Sequence, residues 1–159
     1  MKPASLKDIK TDLNYKSNDE LIALCLRLVR FKKENKELIS YLLFEISNEE
    51  GYVEGIKNEM LQQFSEINTS SYFFIRKSCR RILRDCKKHI RYSQNKETEV
   101  ELLLFYCNQL FSFRPSINKS KALVNLYNRQ IEFIKKKITL LHEDLQFDYE
   151  EEIEKLETL

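Results

Sequence analysis

Glycine and proline are scarce, with two of each in 159 residues. Sheet-rich folds need turn residues roughly every ten positions, and this chain lacks them. Two glycines also leave no room for a GxGxxG turn, a Walker A loop or a GxSxG elbow. Long apolar runs are missing too: the longest is "LLLFYC", residues 102–107, where a membrane-spanning helix takes about 20. The N-terminal "MKPASLKDIKTDL" has neither an apolar core nor a cleavage pattern of an export signal, so the expected location is the cytoplasm.

Histidine is nearly absent, at positions 89 and 142. A carboxylate-bridged di-iron site needs Glu three residues before each ligating His, but Cys86 and Thr139 stand there. No CxxC pair exists. Cys86 and His89 lie within reach of one ion, while Cys79 is about 10 Å further along the same helix, too far to complete a set. As a nucleophile–base pair Cys86 and His89 face the wrong way, into the core. Cys25, Cys79, Cys86 and Cys107 each sit where a small apolar residue would serve and read as reduced core thiols. No catalytic residue, cofactor, metal or small-molecule substrate is expected, and the chain does not read as an enzyme.

What is present is helical periodicity in one chain of single-domain length. Ser5 with Asp8 caps a short first segment reaching Leu13. Ser17 and Glu20 have capping-box spacing, and Leu21, Leu24, Cys25, Leu28 and Phe31 share one face after them. A break near Asn35 leads to a helix with Leu38, Leu42 and Ile46 along its buried side, pairing with its predecessor as a hairpin. Val53, Ile56, Met60, Phe64 and Ile67 mark the next, over 48–68. Gly51 and Gly55, four apart in its first turns, read as a frayed start, with close backbone contact to a neighbouring helix as the alternative. "VELLLFYCNQLF", within 97–112, is apolar on nearly every side and so belongs at the centre of the core. After the loop at Pro115, Tyr127, Ile131, Ile134, Ile138, Leu141 and Leu145 form a short heptad seam in what reads as the longest helix, 119–145. Phe147, Ile153 and Leu156 suggest a final short amphipathic helix.

The segment "RKSCRRILRDCKKHIRY", 76–92, holds eight cations and one acid, Asp85. On a helical wheel with Arg76 at zero, Arg76, Lys77, Arg80, Arg81, Arg84, Lys87, Lys88 and Arg91 fall between roughly 0° and 140°, while Ile75, Cys79, Ile82, Leu83, Cys86 and Ile90 fall between roughly 240° and 340°. Packing accounts for the apolar face. It does not require the opposite face to carry one sign, because like charges at i,i+4 repel by a few tenths of a kcal/mol each. The near-neutral total of +2 conceals a net +8 over 70–96, +6 over 114–141 and −7 over 142–159. Three fates for the stripe follow. It is a solvated face, or one that the acidic end "HEDLQFDYEEEIE" folds across and neutralises; it meets an acidic protein surface, such as another copy's tail; or it contacts nucleic acid phosphates. Against the last stand the absence of helix-turn-helix, zinc or RNP-type signatures and the modest pI near 8.3. Tyr72, Phe73 and Tyr92 flank the stripe, as stacking aromatics would.

The stretches "DELIALCLRLVRFKKENKELISYLLFE", "HIRYSQNKETEVELLLFYC" and "LHEDLQFDYEEEIEKL" resemble an uncharacterised family of small all-helical bacterial proteins. That resemblance implies an all-α fold and transfers no activity. The sequence therefore predicts one all-α domain over 1–159, a compact antiparallel bundle of six or seven helices, with a short superhelix of stacked hairpins as the alternative. Residues 1–16 and 146–159 are peripheral. The leading functional expectation is a non-catalytic protein-interaction or scaffold protein, with an unknown protein partner or self-association. The alternative is a nucleic-acid-binding protein acting through the basic helix.

Overall fold

A computed structural model describes residues 1–156. It is all-α, with eight α-helices and no strand among the described residues: α1 (Leu6–Leu13), α2 (Asn18–Phe31), α3 (Lys33–Ser40), α4 (Glu49–Ser65), α5 (Tyr72–Ser93), α6 (Lys96–Ser112), α7 (Lys121–Ile138) and α8 (Glu143–Leu156). None of these is long and apolar enough to cross a membrane. The chain divides into two compact units, Met1–Phe44 and Glu45–Leu159. Residues 157–159 of the acidic end lie outside the described residues.

In the first unit, helix starts follow the local sequence. Ser5 accepts a hydrogen bond from the Asp8 amide. At Ser17 the capping box is complete, since Glu20 N donates to Ser17 Oγ (3.3 Å) and Ser17 N donates to Glu20 Oε2 (2.8 Å). The backbone hydrogen bond from Ser17 and the neighbouring Lys16 hold the Glu20 carboxyl below its ordinary pKa. The chain leaves α2 at Lys32, where the backbone becomes extended. Asn35 Nδ2 then donates to the Leu28 carbonyl (2.8 Å), one of the unpaired carbonyls of that helix end. Helix α3 packs on α2 and continues into a π-helical turn, Tyr41–Glu45.

This unit has almost no interior. Tyr41 is its one buried side chain. Leu24, Leu28, Phe31 and Leu42, expected on buried faces, are exposed. Cys25 is exposed as well, so it is not a core thiol. Two short helices have too few faces between them to cover an apolar stripe on each. Ile46, just beyond, is exposed too.

The second unit holds the core, and α6 is its centre, as the all-round apolar pattern predicts. It packs against α4, α5, α7 and α8, and buries Val100, Leu102, Leu103, Leu104, Tyr106, Cys107 and Leu110. Tyr106 keeps its hydroxyl satisfied by donating to the Cys79 carbonyl (2.9 Å). The predicted faces of α4 (Val53, Ile56, Met60, Phe64) and α5 (Ile75, Cys79, Ile82, Leu83, Cys86, Ile90) are buried against it. Helix α4 starts without fraying. Asn48 Oδ1 accepts from Gly51 N (3.0 Å), and a Cβ at Gly51 would collide with that capping side chain.

The expected long helix over 119–145 is two helices. Thr139 Oγ1 donates back to the Lys136 carbonyl (2.9 Å), and Leu140 and Leu141 donate to Lys137 and Ile138 in three-residue turns. His142 then opens α8, its carbonyl accepting from Leu145 and Gln146. The heptad seam ends at Ile138, and α5, with 22 residues, is the longest helix.

Candidate polyanion-binding surface

Helix α5 segregates as the wheel requires. Its buried side chains all lie on the apolar face, apart from Tyr92 in the last turn. Lys77, Arg80, Arg81, Arg84, Lys87 and Arg91 are exposed, and Arg76 and Lys88 are half-buried. All eight predicted cations are thus brought to one side of one helix. Arg76, Lys77, Arg80, Arg81, Arg84 and Arg91 make no ion pair with any described residue. A shallow groove of about 680 Å³ runs along the N-terminal half of the stripe, lined by Phe73, Arg76, Lys77, Ser78, Arg80, Arg81 and Arg84.

Several acids of α4 and α6 are engaged elsewhere. Lys57 Nζ from α4 bonds Glu101 on α6 (2.6 Å) as well as Glu54 (2.8 Å). Burial alone lowers the Lys57 pKa, but the hydrogen bonds it donates to the two carboxylates outweigh this and hold the ammonium above its ordinary value. Lys137 on α7 pairs with Glu99 (2.9 Å). Glu49, at the start of α4, accepts from Thr98 Oγ1 (2.6 Å) and from Ser93 Oγ, tying three helix ends together.

The acidic helix α8 packs on α7 and α6. Ile153 and Leu156 are buried, and Tyr127 Oη donates to the Leu156 carbonyl (2.7 Å). Tyr149 faces Glu97 on α6 (3.4 Å), and burial together with that carboxylate pushes its phenol above the ordinary value.

The two basic blocks meet at one point. Lys87 Nζ of α5 and Lys137 Nζ of α7 both lie over the Phe133 ring, at 5.5 and 5.0 Å from its centre. Nothing in the linear spacing of α5 and α7 announces this junction, because it depends on how each packs on α6.

Of the aromatics flanking the stripe, Tyr72 donates to the Ser116 carbonyl (2.7 Å) and Tyr92 is buried against His89. Phe73 alone is exposed on the stripe side, at 61%. Its wheel position, roughly 60° from Arg76, was the available signal, since that is the middle of the cationic arc.

His89 has a structural partner. Its Nδ1 lies 2.8 Å from Tyr52 Oη. Burial pushes the Cys86 thiol up to about 12, which keeps it protonated at neutral pH. Burial moves Cys79 and Cys107 up to about 12 as well. No protein-family model, curated protein or solved structure matches the chain.

Proposed function

We propose that this is a non-catalytic binding protein whose helix α5 contacts the phosphates of nucleic acid. The observation that carries this reading is the placement of the acidic helix. Helix α8 packs on α6 and α7, and six cations of the stripe have no ion-pair partner among the described residues. Five like-charged i,i+4 pairs along α5 cost stability of order 1–2 kcal/mol, and a polyanion offsets that cost on binding. Counterion release makes such binding fall steeply with salt. Fluorescence anisotropy with labelled DNA and RNA across a salt series tests this. Binding that weakens steeply with salt and is lost on Arg80→Glu/Arg84→Glu supports it, and no binding at low salt refutes it.

A second reading, association with protein, is favoured by a separate observation in the first unit. Around α2, apolar residues from Phe31 and Leu24 through Leu28 and Leu21 to Ile22 and Leu26 span about 220° of the wheel. One neighbouring helix covers only part of such an arc, and Ile22, Leu24, Leu26, Leu28 and Phe31 are all exposed. The occupant we infer is a second copy, whose identical pair of helices supplies the missing faces of a four-helix arrangement. Sedimentation equilibrium then gives a dimer that Leu24→Glu/Leu28→Glu converts to monomer. A monomer at high micromolar concentration excludes this reading.

A further inference from the structure

We infer that the stripe takes single-stranded rather than duplex nucleic acid, with Phe73 as a platform on which a base stacks. This inference rests on the phosphate-binding reading and names its ligand class. Phe73 sits in the wall of the groove, beside Arg76 and Lys77 one turn away and in line with Arg80 and Arg84 two and three turns on. It is 61% exposed, although every large apolar side chain on the opposite face of α5 from Ile75 to Ile90 is buried. An aromatic ring in the middle of a cationic arc contributes nothing to the core. Phe74 makes a T-shaped contact with it, with ring centres 5.4 Å apart and planes at 78°, which restrains its orientation.

Two other aromatics near the basic blocks are already engaged. Phe133 carries Lys87 and Lys137, and Tyr72 is hydrogen-bonded to Ser116. An exposed ring beside a cationic track is the arrangement by which proteins hold single strands without reading sequence, since every base has a stacking face. Duplex bases are stacked on each other and offer Phe73 no such face.

The chain has no tryptophan, so Phe73→Trp places one fluorophore at the platform. The full-length variant is titrated with oligodeoxythymidylate and with inorganic polyphosphate, while binding of each is followed independently by competition against a labelled strand. Stacking predicts that the oligonucleotide quenches the tryptophan and that polyphosphate binds without quenching. Phe73→Ala should weaken single-strand binding by roughly 5- to 100-fold, leave duplex binding unchanged and leave the salt slope unchanged. Binding of both anions with no quenching by oligodeoxythymidylate, or equal loss of single-strand and duplex affinity in Phe73→Ala, overturns the stacking inference and leaves the phosphate reading standing. If neither anion binds, the phosphate reading itself fails, and this one with it.

Discussion

Arg80 has Arg76 one turn behind it and Arg84 one turn ahead, with no acid to separate them. A single Arg80→Glu turns two repulsive neighbours into attractive ones. That substitution should raise stability by about 1 kcal/mol, measurable by urea unfolding, while lowering polyanion affinity. A residue that improves the fold when removed is held for something other than the fold. The thiols make a second residue-scale prediction. Cys79, Cys86 and Cys107 are pushed up to about 12 by burial, against about 9 when unfolded. Below pH 9 each is protonated in both states, so their contribution is fully present. Between pH 9 and 12 the unfolded chain sheds protons that the folded chain keeps. Stability therefore falls by about 1.4 kcal/mol per pH unit for each thiol, and Cys107→Ala should make the alkaline decline shallower. At pH 8 a thiol-specific reagent should modify Cys25 promptly, and the other three only after urea is added.

At the scale of elements, helix ends were the least legible part of the sequence. The caps at Ser5 and Ser17 could be read because their partners lie three residues on. The end of α5 could not. Gln94 closes it in the left-handed conformation, φ 55°, donating to the Ile90 carbonyl (2.9 Å), and this conformation ordinarily selects glycine or asparagine. Gln94→Gly should stabilise the protein by about 0.5–1 kcal/mol, against a loss of similar size for a glycine inside the helix, both read by thermal unfolding. The stop after Ile138 was hidden for a related reason. Leu141 and Leu145 keep the apolar spacing while Thr139 and His142 divert the backbone bonds, so periodicity ran on past the true end. Helix α8 is then held by tertiary contacts. Tyr127→Phe removes the hydrogen bond to Leu156 at a cost of about 1 kcal/mol, visible as faster amide exchange in α8 before any change in α5.

At the scale of the molecule, periodicity revealed the core but not the division into units. Val53 through Ile67 and the burial of α6 followed from spacing and composition, because those helices do bury what their pattern offers. The apolar residues of α2 have the same spacing and remain exposed. Periodicity shows that a face needs covering and is silent on whether this chain covers it. The charge blocks behave alike: +8, +6 and −7 were legible, and where the acidic block docks was not. Its docking on α6 and α7 leaves the stripe uncovered by α8, and the central claim, that α5 is a surface for nucleic acid phosphates, depends on this.

The most direct test is the salt dependence of oligodeoxythymidylate binding by the full chain and by Arg80→Glu/Arg84→Glu. The logarithm of the association constant should fall against the logarithm of salt with a slope of about −0.7 per phosphate neutralised, near −4 for six engaged cations. The double variant should show a slope reduced by roughly 1.4 or more. A slope near zero, or one that the double variant leaves unchanged, would contradict the account.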